Sequence, residues 1–475
     1  MEQAIPQKDH QHSSPEVGKL HSPRLDIWTA SHSAGLFIDI GPRLRCTAEV
    51  PDPIPTRFFA SFGSLANRSA ALFARYGAGT LEQVVIGLLN FSIVSASAKV
   101  LAPPAFAVFV VIMASLTLAF ALCGAFISTP VLVLFRKRYD AGGRDYLRKL
   151  DWMNLGVCIP VCLASIGVGR IFEHKITFSD AACALFALQA WSSYELRRKT
   201  AFALARAGSL LPCSVLVLVS NLLGVLVLLA LQQNHESAIL LVIGLSYGAG
   251  IVLFSFTCRP PPGKERYPWK AIAADHWNFA ASLVASVAFY WASSQGYFMI
   301  AAHYVSPQGL GGARTTQNLA GLIAMCVVMF ENHSTPEAAS IEHREGKQAV
   351  NVYIRNVYRK LSLPFLLLVF VAASIGFATH RILYRENYIA YSWLIFLFAL
   401  HQFLAGASRP YAVGLKAIEV TGPIFWGYFY PALVTMSAGW IIVRQFHASG
   451  VGIGFVLSAL VTLIVLRRGF KTIIL

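Results

Sequence analysis

Arg314 is followed directly by Thr315, Thr316, Gln317 and Asn318 at the start of a long apolar run. On a helix, side chains three, four and seven residues apart share a face, so Arg314, Asn318 and Gly321 line up. A guanidinium presents a planar fork of donors that suits two oxygens of an anion. Facing a water-filled cavity, Arg314 with Gln317 and Asn318 would hold such an anion. Lying near the end of a membrane span, it would instead extend its charge to the headgroups. Polar side chains are expensive in hydrocarbon, which makes each one inside an apolar run a functional candidate.

Glu82 and Gln83 open an earlier apolar run that continues through Asn90 and Ser97, and Gln83, Asn90 and Ser97 recur every seven residues as one polar stripe. Glu82 could take a proton or sodium ion for coupling. The alternative is that it pairs with a neighbouring cation such as Arg75, or caps the helix start. A third group, Asn278, Ser282, Ser286, Ser293 and Tyr297 with Gln295 beside them, falls at helical spacing. Small hydroxyls on one face can meet substrate or let two helices pack closely. Arg409 and Lys416, seven apart, either receive an anionic group or anchor a loop, and Asp275 reads as an N-cap. Six cysteines lie in apolar runs. Cys158 and Cys162 share a face, but no His or carboxylate completes a metal set, so they are expected to pack; no metal or cofactor is expected.

The elements that position these residues follow from composition. Only 13% of residues are charged and 56% are hydrophobic, with a mean hydropathy of +0.57. A soluble chain keeps nearer a quarter of its residues charged, so this one is built for lipid. Apolar runs of spanning length predict helices over 79–99, 105–135, 150–171, 178–195, 209–232, 238–257, 278–302, 311–331, 361–379, 388–406, 421–443 and 449–466. Without water, backbone groups must bond within each segment, and the alternating strands of a β-barrel are absent from the pattern. The expected fold is therefore an all-α integral membrane protein of about twelve transmembrane helices.

The formal net charge of +16 lies in short connectors, not on one face of a folded domain, which argues against a nucleic-acid partner. With the N-terminus inside, 32 of the 39 Lys and Arg fall on the cytoplasmic side. The remaining seven are Lys99, Arg170, Lys175, Arg314, Arg381, Arg385 and Arg444. That split follows the positive-inside rule and places both termini in the cytoplasm. Residues 1–60 are polar and rich in Pro, His and Ser, without the apolar core of a signal peptide; they read as a mostly disordered tail. The inner connectors 136–149, 258–277 and 332–360 are the largest, and the outer ones are short.

Leu101-Ala-Pro-Pro-Ala-Phe-Ala107 follows the first span and Val305-Ser-Pro-Gln-Gly-Leu-Gly311 follows the seventh, in register at an offset of 204 residues. Proline starts the next helix and small residues allow close approach. The match divides the chain into two parallel six-span halves, a transporter-like design.

Several stretches resemble a known group. They are Gly79-Thr-Leu-Glu-Gln83, Val100-Leu-Ala-Pro-Pro-Ala-Phe-Ala107 and Phe126-Ile-Ser-Thr-Pro-Val-Leu-Val133 in the first half. In the second they are Gly311-Gly-Ala-Arg-Thr-Thr-Gln-Asn-Leu319, Ser408-Arg-Pro-Tyr-Ala-Val-Gly-Leu-Lys-Ala417 and Gly450-Val-Gly-Ile-Gly454. From about residue 75 onward the chain resembles bacterial polysaccharide (Wzx-like, O-antigen type) flippases of the multidrug/oligosaccharidyl-lipid/polysaccharide exporter superfamily. Ala102, Ala107 and Ser306 stand where that group has glycine. The resemblance implies two six-helix lobes of MATE- or MurJ-like architecture around a central cavity. The tail would be 1–75, the N-lobe 76–257, the linker 258–277 and the C-lobe 278–475.

It also implies a bacterial inner-membrane transporter, not an enzyme, that moves an undecaprenyl-pyrophosphate-linked oligosaccharide to the periplasmic leaflet by alternating access. Other polysaccharide-assembly proteins would be its candidate partners. Such a cargo needs cations for pyrophosphate, hydrogen-bonding groups for sugar and an apolar opening for the tail. The candidate binding set is Arg314, Asn318, Gln317, Gln83, Asn90, Gln295, Arg409 and Lys416, with Glu82 as the coupling candidate. A drug exporter of the same superfamily is the alternative, although carboxylates are nearly absent from mid-span: Glu82, Glu195 and Glu331 all sit near ends. A membrane glycosyltransferase or polymerase would need a large outer loop, which the spacing does not provide.

Overall fold

In the computed structural model the described residues are 79 and 81–474, apart from 140–142, 205, 259–264, 385, 419 and 421. The expected tail and Arg75 lie outside them. Among the described residues every element is helical and no strand is present. The first half comprises α1 (Leu81–Val100), α2 (Pro103–Cys123), α3 (Thr129–Leu134), α4 (Gly143–Phe172), α5 (Phe178–Ala203), α6 (Leu210–Ala230) and α7 (Glu236–Thr257). The second comprises α8 (Trp269–Ser294), α9 (Gly296–Tyr304), α10 (Pro307–Glu345), α11 (Lys347–Leu383), α12 (Leu394–Ala417) and α13 (Gly422–Ile474).

Each expected span coincides with one of these helices, with α2 and α3 sharing the second and α8 and α9 the seventh. Seven, among the described residues, are long and apolar enough to cross a membrane on length and composition alone: α1, α2 running into α3, α4, α6, α7, α11 and α13. Helix α13 holds the last two spans, because His447 at φ 49° breaks it. A side chain at Gly450 would stand 2.5 Å from the Ile442 carbonyl oxygen, so only glycine lets the two segments fold against each other. The inner connector 332–360 is helical almost throughout: α10 continues to Glu345 and α11 starts at Lys347, joined at Gly346 with φ 80°. Hydropathy locates only the stretch that lipid requires, whereas a helix can continue in water beyond it.

The internal repeat reappears in the backbone. Ala102 and Ser306 are extended (φ −61°, ψ 152° and φ −58°, ψ 153°), and each precedes a proline that begins the next helix. The Leu101 amide bonds to Ser97 and that of Val305 to Ala301, while Phe106 bonds to Ala102 and Leu310 to Ser306. The same four-residue closures thus recur 204 residues apart. The two turns also meet, since a side chain at Gly311 would touch Phe106 and Tyr388.

Two six-helix lobes result. In the first α2 packs on α4 and α5, and α7 on α5 and α6; in the second α12 packs on α10, α11 and α13, and α13 on α8 and α9. Lys and Arg concentrate at one end of the bundle, the basic end. There each lobe has its own apolar core, around Phe135, Tyr146 and Leu150 in the first and Val350, Val413 and Phe470 in the second. Toward the opposite end a single core joins both, with Phe106 and Phe109 beside Phe298, Phe398 and Phe455. The lobes are therefore fused at the far end.

At the basic end, α8 leans onto the first lobe, where Ile272 enters that lobe's core. Pro130 has no N–H to give the Phe126 carbonyl four residues back. That carbonyl instead accepts from His276 Nδ1 at 2.9 Å. The His276 ring then uses Nε2 as acceptor for the Tyr146 hydroxyl at 2.8 Å. Asp275 is not an N-cap, because α8 begins six residues earlier; its carboxylate binds Arg138 and accepts from Tyr139 at 2.6 Å. Burial alone would raise the Asp275 pKa, but Tyr139 and Arg138 outweigh it and hold the carboxyl below the usual range. Burial pushes the His276 imidazole below its ordinary value.

Candidate functional site

Ser306 caps α10 by accepting from the Gly309 amide at 3.2 Å. About one and a half turns further in, Gly311 and Gly312 let aromatic rings press on the backbone: a side chain at Gly312 would lie 2.3 Å from the Tyr391 ring. This packing seats Arg314, two residues on, where it is only 9% exposed. Its Nη1 donates to Gln317 Oε1 at 3.0 Å and to Gln295 Oε1 at 3.2 Å. The guanidinium lies over the Phe298 ring, 5.3 Å from its centroid. Gln295 occupies the break between α8 and α9, which frees its side chain to reach across. Two neutral amides and a ring satisfy hydrogen bonds but do not cancel the charge. Among the described residues no carboxylate stands within ion-pairing distance of Arg314. A desolvated cation without a counter-charge is costly, and an anion brought to it would offset that cost.

Asn318, one turn on, donates to the Phe91 carbonyl at 3.0 Å and to Ser95 Oγ at 3.3 Å, bridging the lobes. Tyr384 donates to the same Ser95 at 2.7 Å. Behind them Thr315 meets His380 Nε2 at 2.9 Å, and His380 Nδ1 meets Ser392 at 2.9 Å. The structure thus brings Arg314, Gln317, Asn318 and Gln295 together, with Ser95, Tyr384 and His380 added around them. Sequence spacing pointed to the first four. The other three come from distant segments and carry no local signal.

The remaining candidates lie elsewhere. Glu82 is fully buried at the basic end of the first lobe, where Arg198 Nε and Nη2 reach its two oxygens at 2.7 and 3.0 Å. Ser214 donates to it at 2.9 Å and Gln83 at 3.3 Å. Arg198 also binds Glu195, which pairs with Lys199. Two carboxylates here face two cations, and the cluster ties α1, α5 and α6 together. Asn90 is exposed on α1. Arg409 Nη1 meets Glu331 Oε2 at 3.2 Å and Lys416 binds the other oxygen, joining α12 to α10. Glu331 is 17 residues beyond Arg314, about 25 Å along the helix. Arg409 and Lys416 therefore cannot share one small ligand with Arg314.

Comparison of the sequence with known families and with curated proteins yields no match. Solved structures do match. An inward-facing multidrug resistance MATE family transporter of the MOP superfamily superposes with a TM-score of 0.64 at 12% identity, over 82% of this chain and 94% of that one. The lipid II flippase MurJ, in an inward closed conformation, gives 0.63 at 12% identity over 84% and 87%. A MOP superfamily transporter from Pyrococcus furiosus, described by a reversed polarity of its binding pocket, gives 0.61 at 11% identity over 84% and 94%. This chain therefore has the two-lobed fold of the MOP-superfamily transporters.

Proposed function

We propose that this protein is a flippase for an anionic amphiphile, an oligosaccharide linked through pyrophosphate to a polyprenol. It works in a bacterial cytoplasmic membrane with its basic end in the cytoplasm. The single observation that carries the reading is Arg314: a buried cation held by neutral groups alone, at the junction of the lobes. The pyrophosphate oxygens would complete it, and Gln317, Gln295 and Asn318 would meet neighbouring polar atoms. Separate cores at the basic end and a common core at the far end suit a protein open to the cytoplasmic leaflet, with rocking of the lobes presenting cargo to the other side. Glu331 with Arg409 and Lys416 would then be a structural bridge.

The decisive experiment is reconstitution in liposomes with labelled undecaprenyl-pyrophosphate oligosaccharide, comparing wild type with Arg314→Ala. The reading expects translocation by wild type and a loss of at least about tenfold in the variant, one missing charge-assisted contact of roughly 1.5–3 kcal/mol. Equal rates would remove Arg314 from the site. Efflux of a cationic dye without transfer of the lipid-linked sugar would favour the drug-exporter alternative.

A further inference from the structure

At the basic end of the second lobe, α11 and α13 enclose a cavity of about 480 Å³ lined by Arg355, Arg359, Arg467 and Lys471, with Tyr358 and Tyr411 at its wall. No carboxylate lines it. Elsewhere at this end several cations are paired: Arg138 with Asp275, Lys149 with Asp145, Arg197 with Asp151, and Arg409 and Lys416 with Glu331. Among the described residues the four cavity cations have no such partner. They stand at i and i+4 on each helix, so both pairs face one volume.

A second cavity of about 330 Å³ adjoins the first. It runs between α10, α11 and α12 past Leu361, Phe365, Leu368, Phe330 and Phe403, and Tyr358 and Ser362 line both. The Tyr358 hydroxyl, shielded from solvent where the two meet, makes no hydrogen bond of ordinary geometry within the protein. From Arg359 to Leu368 the helix rises about 14 Å, close to half of a hydrocarbon core of about 30 Å. Leu363, Leu367, Phe370 and Val371 on α11 are exposed beside the groove, as expected of a surface that meets lipid. Its floor on α10, at Cys326 and Phe330, lies at least three helical turns from Arg314.

A tetracationic cup without counter-charge, opening into an apolar groove one leaflet deep, has the chemistry of one kind of occupant. We propose that it binds an anionic phospholipid of the leaflet at the basic end. The phosphate sits among Arg355, Arg359, Arg467 and Lys471, the Tyr358 hydroxyl donates to a headgroup or ester oxygen, and one acyl chain lies along α11 against Phe365 and Leu368. Such a lipid would brace α11 against α13 where that lobe has its own core. The site is separate from Arg314 and stands whatever the cargo proves to be.

The test uses the full chain in phosphatidylcholine nanodiscs with a photoactivatable phosphatidylglycerol whose acyl chain carries the reactive group. Labelling should map to residues 357–368 and 403–410 and be displaced by unlabelled phosphatidylglycerol, but not by added phosphatidylcholine. The triple variant Arg355→Gln, Arg359→Gln, Arg467→Gln should weaken labelling roughly a hundredfold, each charge near the surface contributing about fivefold. The triple Arg→Lys variant should retain most of it, which separates lost charge from lost fold. Leu361→Trp, which narrows the groove and leaves the cations, should also reduce labelling. Equal labelling by a phosphatidylcholine probe, or no change in the Gln variant, would overturn the proposal. Displacement by inorganic phosphate as effective as by the lipid would show a free-anion site instead. Selective displacement by polyprenyl diphosphate over phosphatidylglycerol would make it a cargo vestibule, and the phospholipid assignment would fall.

Discussion

Asn318 Nδ2 donates to the main-chain carbonyl of Phe91 at 3.0 Å, and the same amide reaches Ser95 Oγ at 3.3 Å. The two partners lie more than 220 residues earlier, so this side chain closes a contact between the lobes. Nearby, a side chain at Gly87 would fall within 2.0 Å of the Met325 methyl, so α1 and α10 approach closely along this seam. If the lobes must part at the far end during transport, these contacts belong to one state and are absent from the other.

Replacing Asn318 with Ala should therefore shift the balance of states while leaving the fold intact. One neutral hydrogen bond contributes about 1 kcal/mol net, or roughly a fivefold change in the population ratio. Spin labels placed on α1 and α10 at the far end should report a larger separated fraction in Asn318→Ala than in wild type. An unchanged distance distribution would mean that the seam is held by apolar packing alone.

At Arg314, stability and activity should move in opposite directions. A buried cation without a counter-charge weakens the resting fold, so Arg314→Gln, which keeps amide hydrogen bonding, should unfold at the same or a higher temperature. Its translocation rate should nevertheless fall at least about tenfold, as a charge-assisted contact is lost. Arg314→Lys should lie between, because an ammonium lacks the two-pronged geometry. Thermal unfolding and transport measured on one preparation would decide the point; a variant that is both slow and unstable would make Arg314 a packing residue.

The Glu82–Arg198 pair calls for the reverse pattern. Glu82→Gln leaves Arg198 with only Glu195, and Arg198→Met leaves Glu82 fully buried and uncompensated, each costing about 3–5 kcal/mol. The double variant Glu82→Gln, Arg198→Met should be less destabilised than the sum of the singles by about 2 kcal/mol. Any transport surviving in the double variant should keep the ion dependence of wild type. Loss of sodium or proton dependence with stability preserved would restore Glu82 as the coupling group.

Some of this was legible in the chain and some was not, for physical reasons. Lipid imposes a length and an apolar composition on each span, so hydropathy locates most of the helices, and Pro103 and Pro307 mark the same turn in each half. Arg314, Gln317 and Asn318 stand out because polar groups in an apolar run are rare. Partner identity is another matter. Arg198, the partner of Glu82, lies 116 residues along the chain, and no periodicity encodes such a distance. Asp275 looked like a cap because it precedes an apolar stretch, yet α8 starts at Trp269 with Pro268 before it. Pro130 was visible in sequence, but that its missing N–H would hand the Phe126 carbonyl to His276 depends on the packing of α8.

That last contact gives the molecule a defined response to acid. Neutral His276 donates from Nδ1 to Phe126 and accepts from Tyr146 at Nε2, while Asp275, Tyr139 and Arg138 lie beside it. Its folded pKa is depressed below the ordinary 6.5 by burial, so through the window just below that value the unfolded or released state carries the extra proton. Stability therefore rises with pH across the window, is fully present above it, and declines as pH falls through it. Asp275, held below its ordinary 3.8, works in the same direction at lower pH: its contribution is present above that value and lost as pH falls through the depressed folded value. Unfolding temperature, or exchange protection of the first turns of α8, should fall between about pH 7 and pH 5 in wild type. His276→Gln, which cannot titrate, should begin less stable at neutral pH and lose less across the same interval. Parallel curves for the two proteins would show that His276 is not the group that responds.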